Sequence, residues 1–422
     1  MSEMKDSGIE WIGDIPKSWN ISKIKYHLRR NELRNPGGVQ VLSVYREYGV
    51  IPKDSRDDNH NVTSEDTSKY KYVKPGVLVI NKMKAWQGSM GVSEYEGVVS
   101  PAYFIYEITD ESVNGRYIHY LLRNSYKDEF RRISGGIREG QWDLPAEGFA
   151  NEIIPLPSID EQHKIVNILD SKCSEIDALV SDILLEIETL EEYKKSVITE
   201  AVTKGLNPDV QMKNSGIEWA SEIPIHWNII KGKYIFVQRN ARGNSINLQL
   251  LSPTQKYGVI PQELYEEITG MSAVKLKEDT NLAALKTIHK GDYCISLRSF
   301  QGGFEYSEYE GVVSPAYQVF YPVIPIADGY FKYMFKERGF IEKMNSYTLS
   351  LRDGKNIAFS DFGNTYIPVP PLEEQIAISN YLEYIRNEID SIIGDKQKQL
   401  SILEEYKKSV IFEYVTGKRS VM

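Results

Sequence analysis

With 422 residues the chain is long enough for two or more domains, and its 26% charged and 41% hydrophobic residues are ordinary globular values. No apolar run approaches the length that spans a bilayer, the opening MSEMKDSGIEW lacks the pattern of a signal peptide, and two cysteines among 422 residues fit a reduced cytosol rather than a disulfide framework. The net charge of −9 excludes a wholesale basic chain, but residues 156–205 alone hold five basic against eleven acidic side chains, so the flanking segments are near neutral and can carry local basic surfaces.

Taken in order, residues 1–157 read as a mixed α/β globular unit. It opens on Ser7-Gly-Ile-Glu-Trp11, Ile15-Pro16 and Trp19-Asn20. Residues 72–92 predict strand, loop, strand; residues 98–108 predict a further strand; residues 114–133 predict one amphipathic helix. A glycine- and arginine-bearing loop follows at 134–149, and Ile154-Pro-Leu-Pro157 ends the unit.

Residues 158–205 then predict one long helix. They contain no proline, and no glycine before Gly205. Ile165, Leu169, Cys173, Ile176, Val180, Ile183, Ile187, Leu190, Val197 and Ala201 recur at three- and four-residue steps, which is one apolar stripe. Roughly 45 residues at 1.5 Å each make a rod of roughly 65 Å, and a lone helix cannot bury such a stripe. It requires a partner helix.

After a linker at 206–214 the chain repeats itself. Ser215 to Trp219, Ile223-Pro224 and Trp227-Asn228 match the opening of the first unit, Tyr257 to Pro261 matches Tyr48 to Pro52, and Glu308 to Tyr317 matches Glu94 to Tyr103 letter for letter. Residues 215–370 are therefore a second copy of the globular unit, ending on Ile367-Pro-Val-Pro370, and 371–418 a second long helix. Leu403 to Ile411 repeats Leu190 to Ile198 (LEEYKKSVI), and Glu374-Gln375 repeats Glu161-Gln162, both at an offset of 213. The second stripe is Ile378, Leu382, Ile385, Ile389, Ile392, Leu403, Tyr406 and Val410, weakened in its middle by Gly394 and a polar run. The predicted fold class is α/β (α+β): two globular domains, each followed by a long helix, the two helices packing as an antiparallel coiled coil in a pseudo-twofold repeat.

No phosphate loop, dinucleotide fingerprint, HExxH, GxSxG or amino-methyltransferase tetrapeptide is present, the six histidines are scattered, and Cys173 and Cys294 cannot by themselves hold zinc. The expectation is a chain that catalyses nothing by itself and binds no metal or cofactor.

The SGIEW…IP…W entry, the IPLP-x-x-x-E-Q helix start, the LEEYKKSVI helix end and the duplication together resemble a specificity (S) subunit of type I restriction–modification systems, the HsdS family, across essentially the whole chain. The resemblance implies two target-recognition domains that each read one half of a bipartite, gapped site in double-stranded DNA. It implies spacer helices that set the distance between the halves. It implies two methyltransferase subunits using S-adenosylmethionine, restriction and translocase subunits using ATP and Mg²⁺, and a prokaryotic cytoplasmic setting with no membrane.

Reading a base edge requires forked or amide donors, and holding a backbone requires Lys, Arg, Tyr or small polar groups. Three clusters carry them. The first is Lys82, Lys84, Trp86 and Gln87, with Arg298, Ser299, Phe300 and Gln301 as its unlike counterpart. The second is Arg138 and Gln141 beside Trp142, opposite Arg352 and Lys355. The third is Tyr45, Arg46 and Lys53, opposite Lys256. The other reading of each is a solvated loop tied to its own domain. On the helices, Glu191, Lys194, Lys195 and their copies Glu404, Lys407 and Lys408 are candidate partner contacts, against simple solvation. Two competing readings remain: a coiled-coil scaffold that binds other proteins and no DNA, and a stand-alone enzyme with its active site between the heads.

Overall fold

The structure, a computed structural model, describes residues 3–46, 48–56, 66–136, 142–243, 249–272, 284–296, 303–347 and 357–421. Its contacts divide it into two units: Met1–Ile183 with Gln397–Met422, and Leu184–Lys396. Each unit thus contains one head, the start of the helix that leaves that head, and the end of the other long helix.

In unit 1 a four-stranded antiparallel sheet runs in the order Leu28–Asn31, Tyr103–Ile108, Leu78–Asn81, Met90–Val92. Helices α1 (Gly115–Ser125), α2 (Lys127–Ile133) and α3 (Ala146–Asn151) follow, then the long α4 (Ile159–Lys204). One core holds Leu78, Ile80, Tyr106, Tyr117, Leu121, Phe130 and Phe149 together with Ile165 and Leu169 of α4. A smaller core on the other side of the sheet gathers Leu42, Val44, Val50, Val79, Val99 and Ile105. Alternating strand residues supply the two sides, as a sheet covered on both faces requires.

Unit 2 repeats the plan. Its sheet runs Phe236–Arg239, Gln318–Pro322, Tyr293–Ile295, Phe304–Tyr306. Its helices are α5 (Gly232–Ile235), α6 (Gln262–Thr269), α7 (Asp328–Met334), α8 (Arg338–Ser346), α9 (Phe359–Asn364) and the long α10 (Leu372–Val415). Phe236, Tyr293, Phe304, Phe320, Phe335 and Phe362 interlock at its centre through edge-to-face and tilted ring contacts.

The motifs that recur between the halves are joints. Trp19, 1% exposed, donates its indole N–H to Glu161 at 3.0 Å; Trp227, also 1% exposed, donates to Glu374 at 3.0 Å. The buried Gln162 amide donates to the carbonyls of Ser112 and Pro157 and accepts from the Asn114 N–H. Gln375 does the same with Pro370 and Ala327. The Glu-Gln pair therefore welds the first turn of each long helix to the head it leaves. A buried amide with all three of these bonds made costs little, whereas an unpaired one would cost about 1–3 kcal/mol.

The LEEYKKSVI ends make the second joint. Tyr117 Oη bonds the carbonyls of Pro155 and Val415, both at 3.0 Å; in unit 2 Tyr330 Oη bonds Pro368 and Val202. The end of α10 is thus built into unit 1 and the end of α4 into unit 2. The same ion pair appears in each unit: Lys407 on Asp177 at 2.6 Å, and Lys194 on Asp390 at 2.9 Å. Within unit 2, Lys194–Asp390 together with Lys396–Glu186 make the two long helices antiparallel there.

Four expectations are corrected. The helix anticipated over 114–133 is two, because Tyr126 leaves helical geometry at φ −114°, ψ 9°; its counterpart likewise divides, with Glu337 capping α8. The strand anticipated over 98–108 is broken at Pro101, and Gly97–Val99 pairs with Lys71–Val73 instead of joining the four-stranded sheet. The second long helix is continuous through Gly394, as anticipated. Ile392 and Tyr406 lie 45% and 48% exposed off the seam, and Ile393 takes the buried place. The stripe of α4 is buried at Ile165 to Ile176 and at Val197 to Ala201, where a head covers it, but only half-buried from Val180 to Leu190. Among the described residues no helix is long and apolar enough to cross a membrane.

Candidate nucleic-acid interface

In the first head the described residues of the three candidate clusters fall on one edge. Residues 82–88 follow strand Leu78–Asn81 as a turn and a short 3-10 helix, Ala85–Gln87, closed by Gly88 at φ +84°. A side chain at Gly88 would strike Lys127 and the Arg123 carbonyl, which explains the glycine. The loop after α2 returns to this turn: the Leu144 N–H donates to the Lys82 carbonyl, and Lys82 Nζ meets Asp143 at 2.5 Å. Trp86 and Trp142 approach to 5.9 Å between ring centroids, and the Arg131 guanidinium lies over both rings.

The third cluster joins the same edge. Ser89 Oγ donates to the Val44 carbonyl at 2.9 Å, immediately before Tyr45. Tyr45 and Tyr48 pack edge-to-face, and Arg56 covers the Tyr48 ring at 4.5 Å. Arg46, Tyr48 and Lys84 are exposed, and Lys53 is half-buried.

Individual residues then separate. Lys82 is neutralised by Asp143, and Trp86 leans on the main core with its indole nitrogen buried and without a hydrogen-bond partner among the described residues. Both behave as frame for the loop. Gln87 is half-buried, and Lys84 is the exposed cation of that turn. Arg138 and Gln141 lie outside the described residues, as do Arg298, Ser299, Phe300, Gln301, Arg352 and Lys355 in the second head. There Lys256 is exposed on the corresponding turn, its ammonium 5.2 Å from the Tyr257 ring, and Thr254 Oγ1 closes the turn on the Tyr257 N–H and the Gly258 carbonyl.

Sequence reasoning missed Arg123, Lys127, Arg131 and Arg56, which border the same edge. On the single helix anticipated over 114–133 the four-residue spacing of 123, 127 and 131 was the available signal, although the break at Tyr126 leaves only Lys127 and Arg131 on one helix.

The two heads differ in what lies under this edge. In the first, His119 is half-buried, accepts from the Val92 N–H at 3.2 Å, and is pushed down to about 3 by loss of solvent around the ring and by Arg123 and Arg116, so it stays neutral. In the second, Glu305 is 2% exposed and binds Lys336 at 2.6 Å; burial raises its carboxyl from 4.5 to about 7 against the opposing pull of Lys336. Between those values the unfolded chain has released its proton and the folded chain holds it, so stability of unit 2 falls as pH rises from about 4.5 to about 7 and then levels. Denaturant midpoints at pH 5 and pH 7.5 are expected to show this drop, and Glu305→Gln to flatten it; an equal slope in the variant would assign the drop to other groups.

The helix candidates divide similarly. Lys194 bridges Glu191 and Asp390, and Lys407 binds Asp177, so both lysines tie helix to helix. Lys195 pairs with Glu192 at the surface, while Glu404 and Lys408 are exposed.

Residues 12–189 and 228–401 match the family described as type I restriction modification DNA specificity domain, one copy per head. A putative type I restriction enzyme specificity subunit of Methanocaldococcus jannaschii, MjaX, is 24% identical over 96% of this chain and 95% of its own length. The MjaVIII specificity subunit of the same organism is 25% identical over 96% and 93%. Two solved structures share the fold. A chain from a study of assembly and conformational transition in a type I R-M system has a TM-score of 0.69 at 14% identity, covering 96% of this chain and 99% of its own. The HsdS subunit of Thermoanaerobacter tengcongensis has 0.53 at 13%, covering 96% and 98%. With both heads and the leading part of each long helix matched, the chain belongs to the type I restriction–modification DNA specificity family.

Proposed function

We propose that the first and second heads each read one half of a two-part, gapped site in double-stranded DNA, as the specificity subunit of a type I restriction–modification enzyme. The observation that carries this is a duplicated frame with unlike edges. The welds at Trp19 and Trp227, Gln162 and Gln375, Tyr117 and Tyr330 are the same in both units. The groups at the reading edge are not: Lys84, Arg46 and a Trp86–Trp142 pair border one, and Lys256 with a Thr254-closed turn borders the other. Two heads on one frame with different edge chemistry are what two different half-sites require.

In this reading the long helices pack as a two-stranded coiled coil and set the gap between half-sites. Their exposed faces, with Lys195, Glu404 and Lys408, receive two methyltransferase subunits. S-adenosylmethionine, and ATP with Mg²⁺, belong to the methyltransferase and restriction subunits, and this chain contributes recognition without chemistry.

The test is to express the chain with the methyltransferase subunit encoded beside it and to sequence N6-methyladenine across the host genome. New methylation at one gapped two-part sequence is the expected result. No new methylation from a complex shown by gel filtration to assemble would return the chain to the scaffold reading.

A further inference from the structure

We infer that Arg123 is a positioning residue for the first head's recognition edge, fixing the turn that carries Arg46 and Tyr48 to the frame; the inference rests on the DNA-reading role proposed above. The turn lies between strands Leu42–Tyr45 and Gly49–Pro52, and its sequence is built for display, with Arg46 and Tyr48 both exposed. A two-stranded ribbon with an exposed tip is by itself marginal in water and would sample many positions. Something must hold the tip if it is to present the same groups to the same base pairs each time.

Arg123 does this through the backbone. Its Nε donates to the Arg46 carbonyl at 3.0 Å, and its Nη2 donates to the same oxygen. Two charged donors on one carbonyl make a strong, directional hold that leaves the Arg46 side chain outside it. The approach is close on the other side as well: Gly49, at φ +70°, sits where an added side chain would meet His119 at 3.4 Å and Arg123 at 3.6 Å. The neutral His119 stacks beneath, its Nδ1 occupied by the Val92 N–H and its Nε2 facing Arg123.

The other end of the same helix is anchored. Tyr120 Oη and Arg116 Nε both bind Asp170 of α4, at 2.5 Å and 3.1 Å, and Tyr117 binds the end of α10. Helix α1 therefore runs from the long helices to the tip of the ribbon, and Arg123 is its last link. In the second head the anchors persist, with Tyr333 on Glu383 at 2.7 Å and Tyr330 on Val202. The link differs: Lys336, at the place of Arg123, binds Glu305 in the sheet, and the turn is closed by Thr254 within itself. The two heads thus hold equivalent turns by unlike means.

The experiment uses the full chain assembled with its methyltransferase subunits, and measures methylation of duplexes in which either half-site is varied one base pair at a time. Arg123→Ala is expected to reduce discrimination at one half-site by roughly tenfold or more, the scale of a lost hydrogen bond to a charged group, and to leave the other half-site unchanged. Arg123→Lys, which restores a donor, is expected to recover part of the loss. Thr254→Ala is expected to affect the opposite half-site. Thermal unfolding of each variant separates this from a folding defect, since positioning lowers discrimination at one half-site while the variant remains fully folded at the assay temperature. Full discrimination in Arg123→Ala, or an equal loss at both half-sites, overturns the inference. Absence of sequence discrimination in the unaltered complex instead overturns the reading on which it rests.

Discussion

Ending the chain after Ser409 is expected to unfold unit 1 and spare unit 2. The truncation removes Val410, Ile411, Tyr414 and Val415, which are 1%, 4%, 6% and 0% exposed and belong to the unit 1 core. Each buried apolar side chain of this size contributes roughly 1.5–3 kcal/mol. Four together approach the roughly 5–15 kcal/mol that holds a whole domain folded. Tyr117, fully buried, also loses the Val415 carbonyl. Unit 2 ends at Lys396 and contains none of these residues. Hydrogen exchange on the truncated chain should show protection lost at Leu78–Asn81 and Tyr103–Ile108 and kept at Tyr293–Ile295. Retained protection in the first sheet would mean that the head folds without its second helical joint.

The second large effect is expected from Trp227→Ala. This indole is one of the largest fully buried side chains, and replacing such a ring by a methyl group costs roughly 3–5 kcal/mol. The substitution also removes the donor to Glu374, leaving that carboxylate with His226 at 2.7 Å as its remaining side-chain partner among the described residues. For a unit of this size the loss corresponds to a fall of roughly 10 °C in the unfolding midpoint. Calorimetry should place the fall in the transition of unit 2, and Trp19→Ala should place a similar one in unit 1. The double variant should show both falls, each in the transition of its own unit. A fall of under 2 °C in either single variant, well below the roughly 10 °C scale, would remove the joint from the list of features that hold the heads together.

How much of this was legible beforehand depended on whether a residue acts with its neighbours in sequence or across the chain. The repeat was plain because Glu161-Gln162 and Glu374-Gln375, with the two LEEYKKSVI ends, stand at one offset. What those letters do was not plain, since the Tyr117 bond to Val415 spans 298 positions and no local pattern announces it. The α/β class, the two heads and the two long helices followed from periodicity. The break at Tyr126 did not, because an aromatic residue is tolerated in a helix and only packing against Trp11 and Phe130 decides its geometry. At the candidate interface, Lys82 read as a cation for DNA until Asp143, 61 positions away, was found beside it. Arg123 was overlooked because its partner is a carbonyl, which every residue has.

The crossing of the chain between its two units also sets an order in time. A ribosome delivers the first head early, but the residues that complete that head's core lie at 410–415 and emerge only after unit 2. Unit 2 needs only residues 184–396 and can close before residues 410–415 are made. At roughly 5–20 residues per second, the groove on the first head that receives the end of α10 stays open for tens of seconds of synthesis. The head made first is therefore finished second, after the whole of unit 2 has been synthesised.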